Sequence, residues 1–345
     1  MTAAPDPAIL DFVRRAGLLD AGENAVFTPL TGGVSSDIWL VDSGRRKFCV
    51  KRALAKLRVA ADWRAPVERS VFEAAWLRGA GRVMPDAVPR LLAEDAAAGM
   101  LAMDYLEPRD HRLWKAELLA GRSDPEIARS VGRRLGRIHA ASARDPEAPA
   151  TFPRDDIFHS IRLEPYLLAT ARAHPPLAGR IDELVERTAT TKRSVVHGDI
   201  SPKNILVGPK GPVFLDAECA WFGDPAFDVA FCLNHLLLKC LASPQAAGAH
   251  LAGFDALRDA WLAEVDWEDR DGAEARVASL LPGLFLARID GKSPVEYLTA
   301  EADKDAVRRV ATPLIEQPPR RLAEIREAWT RDLATHRKEA ALGQD

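Results

Sequence analysis

The spacing of apolar residues changes character near residue 106 of the 345-residue chain. Before that point, short apolar segments with the two-residue period of β-strands alternate with turns that contain glycine, aspartate or proline. These segments are residues 25–30, 37–41, 47–52, 91–94 and 100–106. Two other segments have helical periodicity, one at the N-terminus and one over residues 65–78, which Gly79 and Gly81 are expected to end. The first part of the chain is therefore predicted to be a sheet with two helices.

Beyond Pro108 helical periodicity dominates, most clearly over residues 125–143 and 177–191. Residues 144–156 are rich in proline and acidic side chains and are predicted to be a surface loop. We therefore predict an α+β fold with two lobes. Residues 1–105 would form a small N-lobe around a five-stranded antiparallel sheet, and residues 106–345 a large, mostly helical C-lobe.

The composition is that of a globular enzyme, with 47% hydrophobic residues, 28% charged residues and a net charge of −3. No basic excess points to a nucleic acid partner, and the most apolar segments are too short or too polar to cross a membrane. The N-terminus lacks the pattern of a signal peptide, so a cytoplasmic protein is expected. The four cysteines show no C-x-x-C spacing and are interpreted as reduced core residues. A monomer and a homodimer both stay open.

The segment HGDISPKNILVGPKGPVFLDAE, residues 197–218, concentrates the candidate chemistry. One short strand before the segment and two within it are predicted to bring Asp199, Asn204 and Asp216 to one cleft. Asp199 would orient a hydroxyl group and accept its proton. Asn204 and Asp216, with Glu218 as a second or water-mediated ligand, offer the oxygen donors that Mg²⁺ prefers. This combination suits phosphoryl transfer, which needs a placed acceptor and neutralised phosphate charge.

Other polar residues of this region are given structural interpretations. His197 is expected to be a hydrogen-bonding residue of the loop rather than a proton carrier. Asp224 and Asp228 are interpreted as capping and loop-bracing carboxylates. Lys203 has two open interpretations, a surface charge or a group that helps to neutralise a γ-phosphate.

Two features of the predicted sheet suggest how a nucleotide is held. Gly32 and Gly33, followed by Ser35 and Ser36, form a loop whose N–H and hydroxyl groups suit phosphate oxygens, although a plain hairpin turn has the same pattern.

Lys51 is the second feature, since it lies near the end of an apolar strand. A buried lysine needs a counter-charge, and Glu73 on the following helix, or as a less favoured choice Glu68, can supply it, so that the ammonium group contacts the nucleotide's phosphates. Two unrelated exposed residues are the alternative.

Taken together, these motifs resemble the aminoglycoside phosphotransferase and choline kinase-like branch of the protein kinase-like fold, over nearly the whole chain. The matching segments are LTGGVSSDIWLV, FCVK, MDYLE, LGRIHA, HGDISPKN and LDAE. The stretch LDAECAWFGDPAFDVAFCLNHLL is similar to the methylthioribose kinase subgroup. The resemblance implies ATP and Mg²⁺ as cofactors. It also implies that backbone groups of a hinge at Met103, Asp104 and Leu106 bind adenine.

The acceptor pocket is expected between the 197–204 loop and the C-terminal helices. Trp221, Arg288 and Asp290 are its candidate residues. The resemblance to methylthioribose kinases implies that Arg288 recognises the acceptor. A bracing role for these charges at a helix–loop junction is the alternative.

The expected function is an ATP- and Mg²⁺-dependent kinase that phosphorylates a hydroxyl of a small metabolite resembling a sugar or an amino alcohol. The protein-kinase triplets H-R-D, D-F-G and A-P-E are absent from the sequence, which argues against protein substrates. An aminoglycoside O-phosphotransferase is the alternative enzyme, because the acidic segment 264–274 offers charge for a polycation pocket. A pseudokinase that acts as a regulatory scaffold is the alternative outside enzymes, although every catalytic position is filled.

Overall fold

The computed structural model describes residues 6–30, 35–56 and 66–342, with side chains up to residue 336. Its N-terminal part is a five-stranded antiparallel sheet with the strand order β1-β2-β3-β5-β4. The strands are β1 (Val26–Leu30), β2 (Ser36–Asp42), β3 (Lys47–Ala53), β4 (Leu91–Asp95) and β5 (Met100–Asp104). The predicted sheet is confirmed, since each strand lies within about two residues of the segment whose alternation predicted it.

The N-terminal helix α1 (Pro7–Arg15) packs on this sheet. Asp6 caps the helix by accepting a hydrogen bond from the backbone N–H of Ala8 at 2.9 Å. The buried face of α1 forms a small hydrophobic cluster with Phe48 and Val50 of the sheet. This cluster is separate from the larger core of the protein.

Helix α2 (Arg69–Val83) differs from its prediction at both ends. Gly79 and Gly81 do not end it, because both lie inside the helix and α2 continues to the residue before Met84 and Pro85. A Cβ at Gly79 would meet no atom within 4 Å, so nothing packed around this glycine forces the chain out of the helix. The apolar face of α2, which includes Trp76, belongs to the larger core rather than to the sheet cluster.

The rest of the chain is mainly helical, as predicted. Its α-helices are α3 (Trp114–Leu119), α4 (Pro125–Ala143), α5 (Ala148–Thr151), α6 (Asp155–Phe158), α7 (Ala169–Ala173), α8 (Ala178–Thr190), α9 (Ala226–Ala242), α10 (Ala247–Glu264), α11 (Arg270–Asp290), α12 (Glu301–Glu316) and α13 (Leu322–Leu342). A π-helical segment, His159–Leu168, joins α6 to α7 around Pro165. Helix α9 is buried along almost its whole length and forms the centre of the larger core.

Short strands hold the segment with the candidate chemistry. β7 (Ser194–Val196) pairs with β10 (Trp221–Gly223), and β8 (Ile205–Gly208) pairs with β9 (Gly211–Phe214) and with β6 (Arg112–Leu113). The predicted strands around residues 197–218 are therefore confirmed. They place the 197–204 loop and the residues after Phe214 side by side.

The prediction of a surface loop over residues 144–156 is wrong from residue 148 onward. That part contains α5, and the side chain of Phe152 is buried in the larger core. Its backbone carbonyl also accepts a hydrogen bond from Phe222 N at 3.3 Å. One aromatic residue in an otherwise polar, proline-rich segment was enough to anchor it.

All four cysteines are buried, as expected of core residues. Within the described residues, no helix is both long and apolar enough to cross a membrane.

Candidate active site

The 197–204 loop binds one carboxylate oxygen of Asp199 tightly and leaves the other without a partner. Asp199 Oδ2 accepts a hydrogen bond from Asn204 Nδ2 at 2.8 Å and lies 3.0 Å from Arg162 Nη2 and 3.1 Å from Lys203 Nζ. Asp199 Oδ1 is buried and has no hydrogen-bond partner in the part of the chain that the structure describes. A buried acceptor atom without a partner is costly, so this oxygen is suited to a group that arrives with a substrate.

The charge of Asp199 is fixed by its neighbours. Burial favours the neutral acid, but Arg162 and Lys203 outweigh it and lower the pKa of Asp199 below its usual value. Asp199 itself is the largest cause that raises the pKa of Lys203. The loop therefore presents a carboxylate at neutral pH.

A carboxylate on α9 holds the backbone of the loop in place. Asp228 accepts hydrogen bonds from the N–H groups of His197 and Gly198, each at 2.8 Å. It also bonds His139 of α4, which accepts a hydrogen bond from Trp261 Nε1 at 3.1 Å. Asp228 thus ties the loop to α9, α4 and α10 at once.

Gly198 allows the turn that follows His197. It adopts a φ of +80°, and a Cβ at this position would lie 2.7 Å from the carbonyl oxygen of Cys219. A glycine is therefore required where the loop passes the residues after β9.

His197 is fully buried and makes only structural contacts. Its Nδ1 accepts from the N–H of Asp199 at 3.1 Å, so Nε2 carries the proton and donates to the carbonyl of Leu215 at 3.1 Å. Burial lowers the pKa of His197 and favours the neutral ring. This geometry agrees with a bracing role.

Lys51 lies at the centre of a group of carboxylates between β3, α2 and the residues after β9. Its Nζ is 2.9 and 2.7 Å from the two oxygens of Glu73, bonds Asp216 Oδ1 and lies 4.0 Å from Glu218. Burial lowers the pKa of Lys51, but Asp216 and Glu73 outweigh it and raise the pKa, so the ammonium stays charged. The predicted pair of Lys51 and Glu73 exists in the structure.

Asp216 and Glu218 occupy unusual positions in this group. Asp216 has a φ of +68°, the left-handed region that a residue with a Cβ rarely adopts. Such strain costs about 1–3 kcal/mol and persists where surrounding contacts determine the conformation, here the bond to Lys51. Glu218 accepts from Arg69 Nε at 3.1 Å, and Arg69 also donates to the carbonyls of Ser35 and Leu54.

The donors of this group fit a hard divalent cation. One oxygen each from Glu73, Asp216 and Glu218 lie within 4.8 Å of one another, and carboxylate oxygens are the ligands that Mg²⁺ and Ca²⁺ prefer. Asn204, the third predicted ligand, turns its amide nitrogen to the carbonyl and carboxylate of Asp199. Its link to a metal stays a prediction.

The structure describes only some of the residues predicted to contact the nucleotide. Gly32 and Gly33 lie outside the described residues. Ser35 and Ser36 are buried at the start of β2, where the carbonyl of Ser35 is held by Arg69. In the hinge, the N–H of Asp104 donates to the carbonyl of Arg90 at 3.0 Å and so faces the neighbouring chain segment.

Met103 and Leu106 are half-buried on either side of Asp104. The N–H of Asp104 is already bonded, and an adenine contact of the Asp104 carbonyl and the Leu106 backbone stays a prediction.

The family model described as the phosphotransferase enzyme family (APH) matches residues 26–263, which are 238 of the 345 residues. The chain belongs to this family. Membership confirms the predicted small-molecule kinase. Methylthioribose kinase from Erwinia tasmaniensis is 26% identical over 292 residues, covering 72% of this chain and 71% of that protein. Methylthioribose kinase 1 from Oryza sativa subsp. japonica is 25% identical over 255 residues, covering 65% of this chain and 58% of that protein.

Solved structures show the protein kinase-like fold. Amicoumacin kinase hAmiN, in complex with AMP-PNP, Ca²⁺ and Ami, has a TM-score of 0.55 and 13% identity, covering 92% of this chain and 96% of that chain. A choline/ethanolamine kinase family protein from Mesorhizobium loti has a TM-score of 0.53 and 16% identity, covering 96% and 98%. The predicted fold class is confirmed.

Two of the three acceptor-pocket candidates of this phosphotransferase have other roles. Trp221 is only 1% exposed and stacks on Phe158 with 4.1 Å between the ring centroids, because β10 turns it into the larger core. Asp290 accepts hydrogen bonds from His174 at 2.8 Å and from Arg308 at 2.7 and 2.9 Å, so it braces α11 against its neighbours. The prediction that these two residues line the pocket is replaced by structural roles. Arg288, by contrast, contacts Tyr166 and Ser293, and its link to the acceptor stays a prediction.

Asp224 agrees with its predicted capping role. It accepts from Ala226 N at 3.0 Å at the start of α9, and Arg276 lies 3.1 Å from its second oxygen.

The acidic segment of the phosphotransferase does not form a pocket for a polycation. Its carboxylates are paired with arginines within the protein: Glu264 with Arg137, Asp266 with Arg144, Glu268 with Arg276, and Asp271 and Glu274 with Arg321. Asp269 caps α11 by accepting from Gly272 N at 2.8 Å. Because these charges are already neutralised within the protein, the acidic segment no longer supports an aminoglycoside as the acceptor.

The sequence prediction missed two arginines of the site. Arg162 contacts Asp199 and the carbonyl of Gly198, and Arg69 contacts Glu218. Each arginine lies in a segment with several buried residues, and a cation in such a segment implies a counter-charge elsewhere in the chain. That signal was present in IRLEPYLL, residues 161–168, but it does not name the partner.

Proposed function

We propose that this phosphotransferase uses ATP and Mg²⁺ to phosphorylate a hydroxyl group of a small metabolite. The observation that carries the proposal is the unpaired Oδ1 of Asp199, a buried carboxylate oxygen beside the cluster of Lys51, Asp216 and Glu218. A hydroxyl group is the partner that suits such an oxygen in a phosphotransferase. The methylthioribose kinases that the chain resembles support a metabolite as the acceptor.

Asp199 would accept a hydrogen bond from the acceptor's hydroxyl through Oδ1. Arg162, Lys203 and Asn204 hold Oδ2 from three sides, so the carboxylate cannot rotate away from the incoming group. The acceptor oxygen forms a bond to the γ-phosphorus, and the bond from that phosphorus to the bridging oxygen of ADP breaks. The hydroxyl proton passes to Oδ1 and then to solvent.

Lys51 would bind the phosphates of ATP, held in place by Glu73. Because both groups are buried and already paired, little side-chain freedom is lost when the nucleotide arrives. Serines 35 and 36, with Gly32 and Gly33, would border the phosphates, and the hinge would bind adenine.

Asp216 and Glu218, with Asn204, would hold Mg²⁺, which supplies positive charge to the phosphate oxygens. The complex of amicoumacin kinase hAmiN with AMP-PNP and Ca²⁺ supports a nucleotide and a divalent cation in this fold. Asp216 bonds Lys51 in this structure, so the same lysine keeps the carboxylate near the cleft.

The decisive test is Asp199→Asn, measured by ADP release with a panel of hydroxylated metabolites and by ATP binding in calorimetry. We expect kcat to fall by about 10²–10⁴-fold, because the amide cannot take the proton, while the Kd for ATP changes by less than about threefold. Asp259→Asn, on the exposed side of α10, is the control and should keep full activity.

Substantial kcat in Asp199→Asn would rule out its role. A wild-type protein that binds ATP but releases no ADP with any acceptor would favour the scaffold alternative.

A further inference from the structure

Two buried cations of the C-terminal helices each have a nitrogen without a hydrogen-bond acceptor among the described residues. Lys239 on α9 is 0% exposed, and its Nζ has no hydrogen-bond partner among the described residues. Its ammonium group instead lies 3.5 Å from the ring centroid of Tyr297. Arg288 on α11 is 8% exposed, and its Nε also lacks a partner there, while its Nη1 contacts the hydroxyl of Tyr166 and Ser293.

The charges around these cations are mainly positive. Burial, followed by the repulsion of Lys115, lowers the pKa of Lys239 to about 7, and Arg288 adds to this effect. Glu296 opposes it, but this carboxylate pairs with Lys115 and its side chain is 64% exposed. His235, one turn before Lys239, has its pKa lowered by burial and then by Arg288 and Lys239. Unpaired buried cations of one sign destabilise a fold.

We call Lys239, Arg288 and His235, with Tyr166 and Tyr297, the basic cluster. His235 Nδ1 is 3.5 Å from the hydroxyl of Tyr297, and the ring of His235 packs on Phe231 beside Tyr166. The cluster thus joins α9, α11, the π-helical segment and the segment between α11 and α12, which carries Tyr297.

The basic cluster lies close to the catalytic carboxylate. Arg288 and Arg162 both lie near the Tyr166 ring, at 5.4 and 5.9 Å from its centroid, and Arg162 bonds Asp199. Lys203, which lies 3.1 Å from Asp199, acts electrostatically on His235. Tyr166 and Arg162 therefore connect the basic cluster to Asp199.

We propose that the basic cluster binds an anionic group, a carboxylate or a phosphate, of the same acceptor molecule whose hydroxyl contacts Asp199. The inference rests on the proposed function and names the class of acceptor. An anion would give Lys239 Nζ and Arg288 Nε the hydrogen-bond acceptors that the protein withholds. The same charges repel choline-like amines and aminoglycosides. The acceptor of this kinase is accordingly a hydroxylated acid or a sugar phosphate.

Anion binding is measured first, without turnover, by titrating the protein with inorganic phosphate and with glycerate in calorimetry. We expect saturable binding in the wild type that weakens by about tenfold or more in Lys239→Met, because a hydrogen bond to a charged group is lost. Lys304→Met, on the surface of α12, is the matched control and should bind as the wild type does. Equal binding by wild type and Lys239→Met overturns the inference.

Acceptor preference is measured next, by ADP release with matched compounds. Glycerol, glycerate and glycerol 3-phosphate form one set, ribose and ribose 5-phosphate a second, and choline and ethanolamine are the cations. We expect the anionic members to exceed their neutral partners in kcat/KM by about tenfold or more. The carboxylate and phosphate arms show which anion is preferred. Neutral or cationic acceptors that react equally well or better overturn the inference and leave the proposed function intact.

Two variants separate acceptor binding from catalysis. Lys239→Met and Arg288→Gln should raise the KM of the anionic acceptor by about tenfold, with kcat and the KM for ATP within about threefold. Arg288→Lys retains the charge and should recover part of the loss. The melting temperature shows whether Lys239→Met is folded. If the folded variant has an unchanged acceptor KM, Lys239 only packs in the core, and the inference is overturned. If the wild type releases no ADP with any acceptor, the proposed function is overturned instead.

Discussion

Arg162 lies outside the 197–218 motif and contacts Asp199, the carboxylate that we propose as catalytic. It contacts Asp199 by its guanidinium and the carbonyl of Gly198 by its Nε, so it fixes both the side chain and the backbone of the loop. Its charge also lowers the pKa of Asp199 against the effect of burial. Position and protonation state of the carboxylate therefore depend on one cation outside the motif.

Replacing Arg162 with Gln should move the acid limb of the kcat–pH profile to higher pH. The sign follows from the lowered pKa of Asp199, because without Arg162 the carboxylate takes up a proton at a higher pH and loses its ability to accept one from the hydroxyl. We expect kcat at neutral pH to fall by about 10–100-fold, as for a lost charged hydrogen bond, with little change in the KM for ATP.

The control is Arg172→Gln, an exposed arginine of α7 that pairs with Glu164. Its profile should match the wild type. An Arg162→Gln enzyme with lower kcat but an unmoved acid limb would show that Arg162 acts through structure alone.

Local spacing decided which site residues the sequence could predict. Asp199 and Asn204 are five residues apart, and their side chains bond each other, so one short segment carried the information. Arg162 and Asp199 are 37 residues apart in sequence and meet only through tertiary packing. The role of Lys239 could not be predicted for the same reason, since the sequence of an apolar helix does not show which residues its lysine contacts. The metal role of Asn204 stays a prediction.

At the scale of elements, the crossing of α4 and α10 positions the brace of the 197–204 loop. Helix α4 carries His139 and α10 carries Trp261, the two residues that support Asp228. The helices approach so closely that a Cβ at Gly132 would lie 2.3 Å from the carbonyl oxygen of Leu257. Periodicity predicted the bounds of α4 correctly but not which helix it crosses.

Gly132→Ala should therefore destabilise the protein although alanine favours helices. We expect a loss of about 1–3 kcal/mol in the free energy of unfolding, because the helices must separate, and a lower kcat if Asp228 moves with them. Urea denaturation and ADP release are the measurements. Gly248→Ala, in open space on α10, is the matched control and should be neutral or slightly stabilising. Equal stability of the two variants would contradict the close contact.

At the scale of the whole molecule, buried histidines link stability to pH. His250 on α10 is buried, its Nε2 bonds Ser243 at 2.9 Å, and burial lowers its pKa to about 4. The unfolded chain binds this proton near pH 6.5 and the folded protein does not, so acidification from about 6.5 to 4 favours unfolding. The folded protein is expected to lose stability over this window.

His250→Gln tests this linkage. Its free energy of unfolding should depend less on pH than that of the wild type, by up to roughly 1.4 kcal/mol per pH unit within the window. Denaturant unfolding at pH 7.5, 6 and 5 measures the difference. Burial raises the pKa of Glu73, so this residue makes the folded protein more stable on acidification. Its effect is the same in both proteins and cancels from their difference. Parallel curves for the two proteins would show that His250 takes up its proton as readily in the folded protein as in the unfolded chain.

The packing of α2 has a consequence for control of the enzyme. The helix that carries Glu73 buries Phe72, Trp76 and Leu77 in the larger core, and Trp76 meets the ring of His197 edge-on at 4.7 Å. Swinging α2 outward to break the pair of Lys51 and Glu73 would expose these three side chains, at about 6 kcal/mol. A displaced helix would then occur in about one molecule in ten thousand. An on–off switch based on moving this helix would need a partner whose preference for the displaced state exceeds this free-energy cost.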